Sequence, residues 1–471
     1  MSLIIPANTL ASGGFAVDNS CRFNSTSSDK LTRTFGSGGS VVKWTYSTWF
    51  KISYIGGNEQ VFFSSFDNGD NYSYIKINGN NKLEFRAEAS GSDVLRYTLT
   101  RRFRDPSAFM HLVVALDSSL GTAGDRIKIW INGVRETVFD ASTAPSQDAT
   151  TLINSAAAHE IGHAGDGSDF FNGYMSQVGF INNAQYDADQ FGEFDEDSGI
   201  WKPIDISGLT FGQTSFFLDF ADSADLGDDE SGNSNDWTEV NLAAIDQSTD
   251  TCTNNFATMN PLDAYWSAST FEDGNCTIIM PETTNETYTR ATMGVSSGKW
   301  YWEALCTVQN STMNAGIVDS PALATNTELG KRPKGLSWND SGTLNGNDAQ
   351  VFNSTQAPAY STSQIISFAM DLDNNFLYLR LAGSYTNSGN PESGASGTGG
   401  AAIPTNPSSG FYFPAFGDSS TSGGRYQVNF GNSPFAISSG NTDGNGYGNF
   451  EYAVPSGYLA LCTANLSEVL S

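Results

Sequence analysis

SGKWYWEALCTV, residues 297 to 308, is the stretch that decides the fold class. Trp300, Trp302, Ala304, Cys306 and Val308 are apolar, while the intervening Tyr301, Glu303 and Thr307, with Gln309 beyond, are mostly polar. That is the two-residue period of a strand with one wet face, so the run predicts one strand of an antiparallel sheet. The same period recurs on either side of it. Leu83, Phe85 and Ala87 alternate within Lys82 to Glu88, and Asn78-Gly79 predicts a turn back to Tyr72 to Ile77. Ile127, Ile129 and Ile131 alternate with Arg126, Lys128 and Trp130, and Asn132-Gly133 has the chemistry of a type I′ turn into Val134 to Phe139. Ile365 to Asp371 and Phe376 to Leu381 flank Asp373-Asn374-Asn375, and Arg425 to Phe430 alternates before a Gly-Asn-Ser-Pro turn.

A chain of 471 residues has room for two or three domains, each with its own core. With 48 glycines, 12% aromatic residues and no long run of 3.6-residue apolar period, the expected class is all-β, two sandwiches in tandem, with little helix. Acidic residues outnumber basic ones 51 to 23, a formal charge of -28, which a nucleic-acid duplex or an anionic bilayer would repel. The charge is read first as solubility, with cation binding as its rival. Cys21, Cys252, Cys276, Cys306 and Cys462 are odd in number and irregularly spaced, without a C-x-x-C pair, so neither a disulfide framework nor a zinc ribbon is expected. The first fourteen residues lack the basic start and apolar run of a secretory signal, and no apolar stretch reaches transmembrane length. The expectation is a soluble protein made in a cytoplasm, without membrane insertion.

The Gly298-Lys299-Trp300-Tyr301-Trp302-Glu303 strand resembles the SPRY domain, with Gly316-Ile317-Val318 as its next strand. Four further stretches, in this order, resemble a concanavalin A-like sandwich of the laminin-G type. They are Ser20-Cys21-Arg22-Phe23, the Trp44 to Lys51 strand, the Phe109 to Asp117 strand leading into IKIWINGVRE, and the Phe171 to Val178 strand. The resulting division is an N-terminal arm over 1–14, a laminin-G-like sandwich over 15–204, a connector with an acidic loop over 205–261, and a SPRY-like sandwich over 262–471. The connector run from Phe217 to Asp263 and the closing Pro455 to Leu466 are similar to structural proteins of marine tailed bacteriophages, which join a laminin-G-like module to a SPRY-like one. That resemblance implies a virion component, exposed on the particle and bound to other virion proteins.

Two motifs raise the question of catalysis. His159-Glu160-Ile161-Gly162-His163 satisfies H-E-x-x-H, in which two histidines one helical turn apart bind zinc and the glutamate activates water, with Asp169 where a third ligand can sit. The motif needs a helix, and Gly162, Gly165 and Gly167 oppose one at about 1 kcal/mol each. The laminin-G resemblance implies a short strand there instead. Glu193-Phe194-Asp195-Glu196-Asp197 is similar to the E-x-D-x-E strand of laminarinase-type glucanases, whose paired carboxylates serve as acid and nucleophile. Glu196 stands where that motif wants an apolar residue, and Asp187 to Asp197 suits a short amphipathic turn of helix better. A non-enzymatic protein is therefore expected.

Binding residues are sought elsewhere. Asp225, Asp228, Asp229 and Glu230, in the acidic run, offer oxygens to calcium, the one cofactor left open, although the spacing is not that of an EF-hand. A solvated connector is the favoured reading. Trp338, Asn339 and Asp340 place an aromatic face beside an amide and a carboxylate, as a sugar ring would need, although a tryptophan is more often core. Arg101, Arg102 and Arg104, and the Lys331-Arg332-Pro333-Lys334 run, are the dense basic runs that could grip an acidic sugar or an acidic neighbour. Ser384 to Pro407 reads as a long exposed loop. The leading expectation is a phage fibre, spike or appendage adhesin contacting host surface glycans. A capsid decoration or head-fibre protein that binds only other virion proteins is the alternative, and a polysaccharide depolymerase the more distant one. Trimeric assembly, common in phage appendages, stays open, but no heptad stretch would drive it.

Overall fold

The computed structural model describes residues 14–264, 269–282, 286–310, 312–319, 328–418 and 421–468. The arm expected over 1–14 lies outside them but for Gly14. The chain divides after Asn254 into two compact units. Each is a pair of antiparallel sheets around its own apolar interior, as expected.

In the first unit one sheet runs, in spatial order, Val134–Arg135, Ile127–Ile131, Met110–Asp117, Lys43–Ile52, Gly173–Asn182, Ser20–Phe23, Gln247–Ser248. The facing sheet runs Phe139–Thr143, Ser92–Leu99, Leu83–Ala89, Asn71–Ile77, Gln60–Asn68, Ala158–Ile161, Lys30–Thr34, Thr238–Val240. The inward residues Trp44, Tyr46, Phe50, Phe63, Phe85, Ile129 and Phe180 have no more than 1% of their surface exposed. Asn132 and Gly133 form the two-residue hairpin turn with φ of 48° and 72°, the left-handed pair that a type I′ turn demands. Gly133 serves a second purpose, because a β-carbon there would lie 2.2 Å from the Trp201 ring.

Residues 205–254 differ from the expected connector. Phe216–Leu218 pairs with Gly173–Asn182, Thr238–Val240 with Lys30–Thr34, and Gln247–Ser248 with Ser20–Phe23, so this stretch completes the first sandwich. Strands of two or three residues carry no readable period, which is why the acidic, glycine-rich composition dominated the sequence reading. The expected helical turn at Asp187 to Asp197 is also different. Only Ala188–Gln190 is a 3-10 turn, and Gly192–Phe194 then pairs with Trp201–Pro203 as a hairpin.

In the second unit Lys299–Val308 lies inside its sheet, between Ile365–Asp371 and Arg425–Asn429, with Leu459–Ala460 parallel to its first residues. Trp300, Trp302, Ala304 and Cys306 face the main core. The face expected to be wet is not. Tyr301 and Glu303 have no exposed surface, because Phe450, Tyr458, Ala460 and Cys462 of the closing segment cover them in a second apolar layer. The stretch 384–407 is likewise no free loop: Ser384–Tyr385 and Ala401–Ala402 both pair with Phe376–Leu381, and Pro391 is buried. Among the described residues no helix is long and apolar enough to cross a membrane.

Candidate functional site

His159 sits on the strand Ala158–Ile161, not on a helix, and Gly162 at φ 84° ends that strand in a conformation closed to helix. Its ring packs edge-on against Phe35 and flat against Phe63 in the core. Nε2 accepts the Asn154 N–H at 2.9 Å, so Nδ1 carries the proton and donates to Ala157 O at 2.9 Å. His163 Nδ1 donates to Glu160, which also takes Lys30 at 2.8 Å. Burial would raise the Glu160 carboxyl, but the bonds from His163 and Lys30 outweigh it and hold it below the usual range. The motif is a buried polar clasp between strands, and the zinc arrangement that its spacing suggests is absent from this geometry.

Burial depresses His159 to about 4, and His111, stacked on Trp49 and accepting the Trp201 indole N–H at 3.0 Å, to about 3. Folding thus keeps both neutral while the unfolded chain takes up protons below about 6.5. Their contribution is whole above that pH and is lost as pH falls toward the folded values. Acidification from pH 7 to 5 is therefore expected to cost the first sandwich about 2 kcal/mol per histidine, measured by denaturant unfolding at each pH. A His111→Asn variant should show half the slope.

In the glucanase-like motif Glu193 and Asp195 are both tied to the Lys202 ammonium, at 3.3 and 3.2 Å. Asp195 accepts the Ser198 N–H at 2.9 Å, its hydroxyl at 2.8 Å and Lys202 at 3.2 Å, and these bonds, the backbone one first, pull it down to about 2. In the acidic run, Asp229 is buried and spends both oxygens on Phe217 N, Ser231 N and Asn235 N, all at 2.8–2.9 Å. Asp225, Asp228 and Glu230 are exposed. Partial burial and then the charges of Asp225 and Asp236 hold Asp228 above its ordinary value, and Asp219 does the same first of all to Glu230. Among the described residues no three His, Cys, Asp or Glu side chains gather as a metal would need, so the four calcium candidates do not form one site.

Trp338 cannot receive a sugar. It is fully buried, edge-on to Tyr360 and donating its indole N–H to Pro358 O at 3.0 Å. Asp340 is 1% exposed and accepts Gln309 at 2.7 Å, while Asn339 Oδ1 holds the Ser341 N–H at 2.9 Å. Arg101 and Arg102 are exposed, the first paired with Glu136 at 3.1 Å. Lys331 pairs with Glu286 and Glu328, and Lys334 donates to Thr405 O at 2.7 Å.

The arrangement suited to a ligand lies at the rim of the first sandwich. A cavity of about 270 Å³ is lined by Ser25, Tyr54, Asn58, Glu59, Gln60, Asp169, Phe170 and Asn172. Three loops build it, and hydrogen bonds fix them to each other. Gln60 donates to Tyr54 O at 3.0 Å and accepts the Asn172 N–H at 3.3 Å, and Asn172 Nδ2 reaches Ser25 Oγ at 3.2 Å. Phe170 is braced by the His163 ring at 4.2 Å, so the H-E-x-x-H clasp supports this wall. Lys76 balances Glu59 and lies 3.9 Å from Asp169. Burial, and then the neighbouring Glu59 carboxyl, raise Asp169 above its ordinary range. Asn172 is 5% exposed, and its Oδ1 has no hydrogen-bond partner. An aromatic wall beside amides and carboxylates with an unspent buried acceptor is the chemistry that recognises a hydroxyl-rich ring. Sequence reading missed it because its residues come from three separate segments, the last over a hundred positions from the other two. The only local signal was the clustering of glycines at 56–57 and 162–167.

Residues 24–189 match the Laminin_G_3 family model, described as Concanavalin A-like lectin/glucanases superfamily. They form a concanavalin A-like domain that contains the rim cavity. Among solved structures, the chain is similar to the SPRY domain of human HERC1 at 14% identity, over 36% of this chain and 96% of that one, with a TM-score of 0.29. It is similar to the heptameric SAP-like pentraxin of Limulus polyphemus at 14% identity, over 36% and 78%, with a TM-score of 0.27. A Bacteroides ovatus protein thought to bind carbohydrate matches at 14% identity, over 48% and 58%, with a TM-score of 0.31. No curated protein matches the sequence.

Proposed function

We propose that this protein is a non-enzymatic structural component of a tailed-phage virion, a fibre, spike or appendage adhesin that holds host surface glycans in the rim cavity of its first sandwich. The observation that carries the glycan reading is Asn172 Oδ1, buried and unpaired beside Phe170, Glu59 and Asp169. What supports the non-enzymatic reading is that both catalytic look-alikes are consumed in structural bonds. The virion assignment rests on the likeness of the connector and closing strand to phage structural proteins. Its partners are then other virion proteins, with neither nucleic acid nor membrane among them.

A glycan array probed with the full chain should give a defined set of ligands, and Phe170→Ala should weaken them about tenfold, the effect of losing roughly 1.4 kcal/mol of ring contact. Purified protein should also compete with phage for adsorption. Blank arrays and undisturbed adsorption would remove the adhesin and leave the decoration reading, in which the protein carpets the head lattice in high copy.

Calcium belongs to the proposal through the same cavity. The Glu59 and Asp169 carboxylates and Asn172 Oδ1 are hard oxygen donors, and one ammonium from Lys76 leaves the pair short of positive charge. A bound calcium would supply that charge and a Lewis-acidic contact for ligand hydroxyls. Saturating calcium at a hundred times its Kd should stabilise the protein by about 2.7 kcal/mol, read as a rise in Tm that Asp169→Asn removes. A Tm indifferent to calcium would end this part and leave the glycan reading to its own test.

A further inference from the structure

The first sandwich has two edges of opposite character, and they lie at opposite ends of both sheets. At one end stand Val134–Arg135 and Phe139–Thr143, the last strands of their sheets. Val134 is 53% and Val138 63% exposed, and Phe139–Thr143 has no partner on its outer side among the described strands. An open edge of this kind presents free backbone N–H and C=O groups to another chain. Arg102 and Arg135 are exposed beside it without an ion pair among the described residues, and Arg101 is drawn there by Glu136. In a chain with more than twice as many acids as bases, such a concentration of arginines at an apolar edge stands apart.

At the other end stand Gln247–Ser248 and Thr238–Val240. The stretch from Phe220 to Glu230 lies against both. Gln247 donates to Phe220 O and Ala221 O at 2.8 Å, and Leu226 N donates to Glu239 at 2.6 Å. Asp222, Asp225, Asp228 and Glu230 are exposed and make no ion pair among the described residues. Six strand spacings of about 4.8 Å separate the two edges across the first sheet, on the order of 30 Å, too far for one copy to pair them itself.

We propose that the arginine-bearing edge, with Val134 and Val138, docks the acidic edge of a second copy of this chain. The contact is head to tail, so it uses different surfaces on the two copies and either closes into a ring or extends as a filament. Charge complementarity between the edges selects the partner, and the open Phe139–Thr143 strand and the two exposed valines give it a surface to settle on. This inference is independent of glycan binding, since neither edge lines the rim cavity.

The test is the mass of the full chain by analytical ultracentrifugation, in about 0.15 M salt, where the net negative charge is screened beyond roughly 8 Å, and again in about 1 M, where contact pairs are screened too. Assembly is expected in the first and dissociation in the second. Arg102→Glu with Arg135→Glu makes both edges acidic, and Asp222→Lys, Asp225→Lys and Asp228→Lys make both basic. Each variant alone should be monomeric, with the association constant at least tenfold lower, and an equimolar mixture of the two should assemble again. These positions are all exposed, and an unchanged thermal transition checks that the variants fold. A monomeric parent at about 0.15 M salt, assembly indifferent to salt and to both variants, or a mixture that stays monomeric would each overturn the proposal.

Discussion

Replacing Asp250 with alanine is expected to cost the first sandwich about 3–5 kcal/mol, the range for stranding one member of a buried ion pair. Asp250 has no exposed surface and is paired with Lys51, itself 1% exposed. The Lys51 ammonium lies over the rings of Tyr174 at 4.8 Å and Phe109 at 5.2 Å, which soften but do not replace a counter-charge. Truncating Asp250 leaves a buried cation without its counter-charge. For a unit of this size the loss corresponds to a fall in Tm of about 10 °C. Hydrogen exchange should accelerate in Ser20–Phe23 and Gly173–Asn182, next to which Asp250 is anchored by the Ser20 hydroxyl at 2.7 Å, and not in the second unit. The paired replacement, Lys51→Met with Asp250→Leu, should recover most of the loss, because removing both charges also removes the desolvation that the pair had to offset. If the single and double variants melt alike, the pair has no such role.

Asp250 also shows where the sequence stopped being readable. Strands of five residues or more with a two-residue period, such as Ile127–Ile131 and Phe376–Leu381, were legible because burial of one face imposes the pattern locally. Asn132-Gly133 was legible because only certain residues tolerate two successive left-handed conformations. The stretch 205–254 was not, since its strands are only two or three residues long and the side chains that fasten it, Asp250 on Lys51 and Asp229 on Phe217 N, are lone aspartates that look like every other in an acidic run. The rim cavity was hidden for a related reason: convergence of Ser25, Asn58 and Asp169 is a property of three loops, not of any window of sequence. Trp338 misled in the opposite direction. Polar neighbours suggested a surface, but Leu336–Asn339 is an inner strand whose alternate residues face the core.

Glu303 is the residue whose loss should most affect the second sandwich. The period of SGKWYWEALCTV assigned it to water, yet it is fully buried and accepts the N–H groups of Glu451 and Tyr452, both at 2.9 Å, and the Tyr301 hydroxyl at 2.8 Å. It therefore fastens the closing segment to the face that the segment covers. Glu303→Ala should cost about 3 kcal/mol or more, since two backbone donors lose their acceptor in a dry site, and exchange of the Glu451 and Tyr452 amides should rise before that of the central strands. The pH dependence gives an independent measure. Burial raises the Glu303 carboxyl above its ordinary value, although the two backbone donors pull against it. A raised folded value means that the folded state holds the proton longer than the unfolded chain, so the carboxyl adds stability below its ordinary value and loses it as pH climbs through the raised one. Measured against Glu303→Gln, the parent should thus lose ground from about pH 4.3 upward and level off once the buried group has ionised. A difference between the two proteins that does not change with pH would mean that Glu303 ionises as freely in the fold as outside it, and that the segment over it is held by its aromatic layer alone.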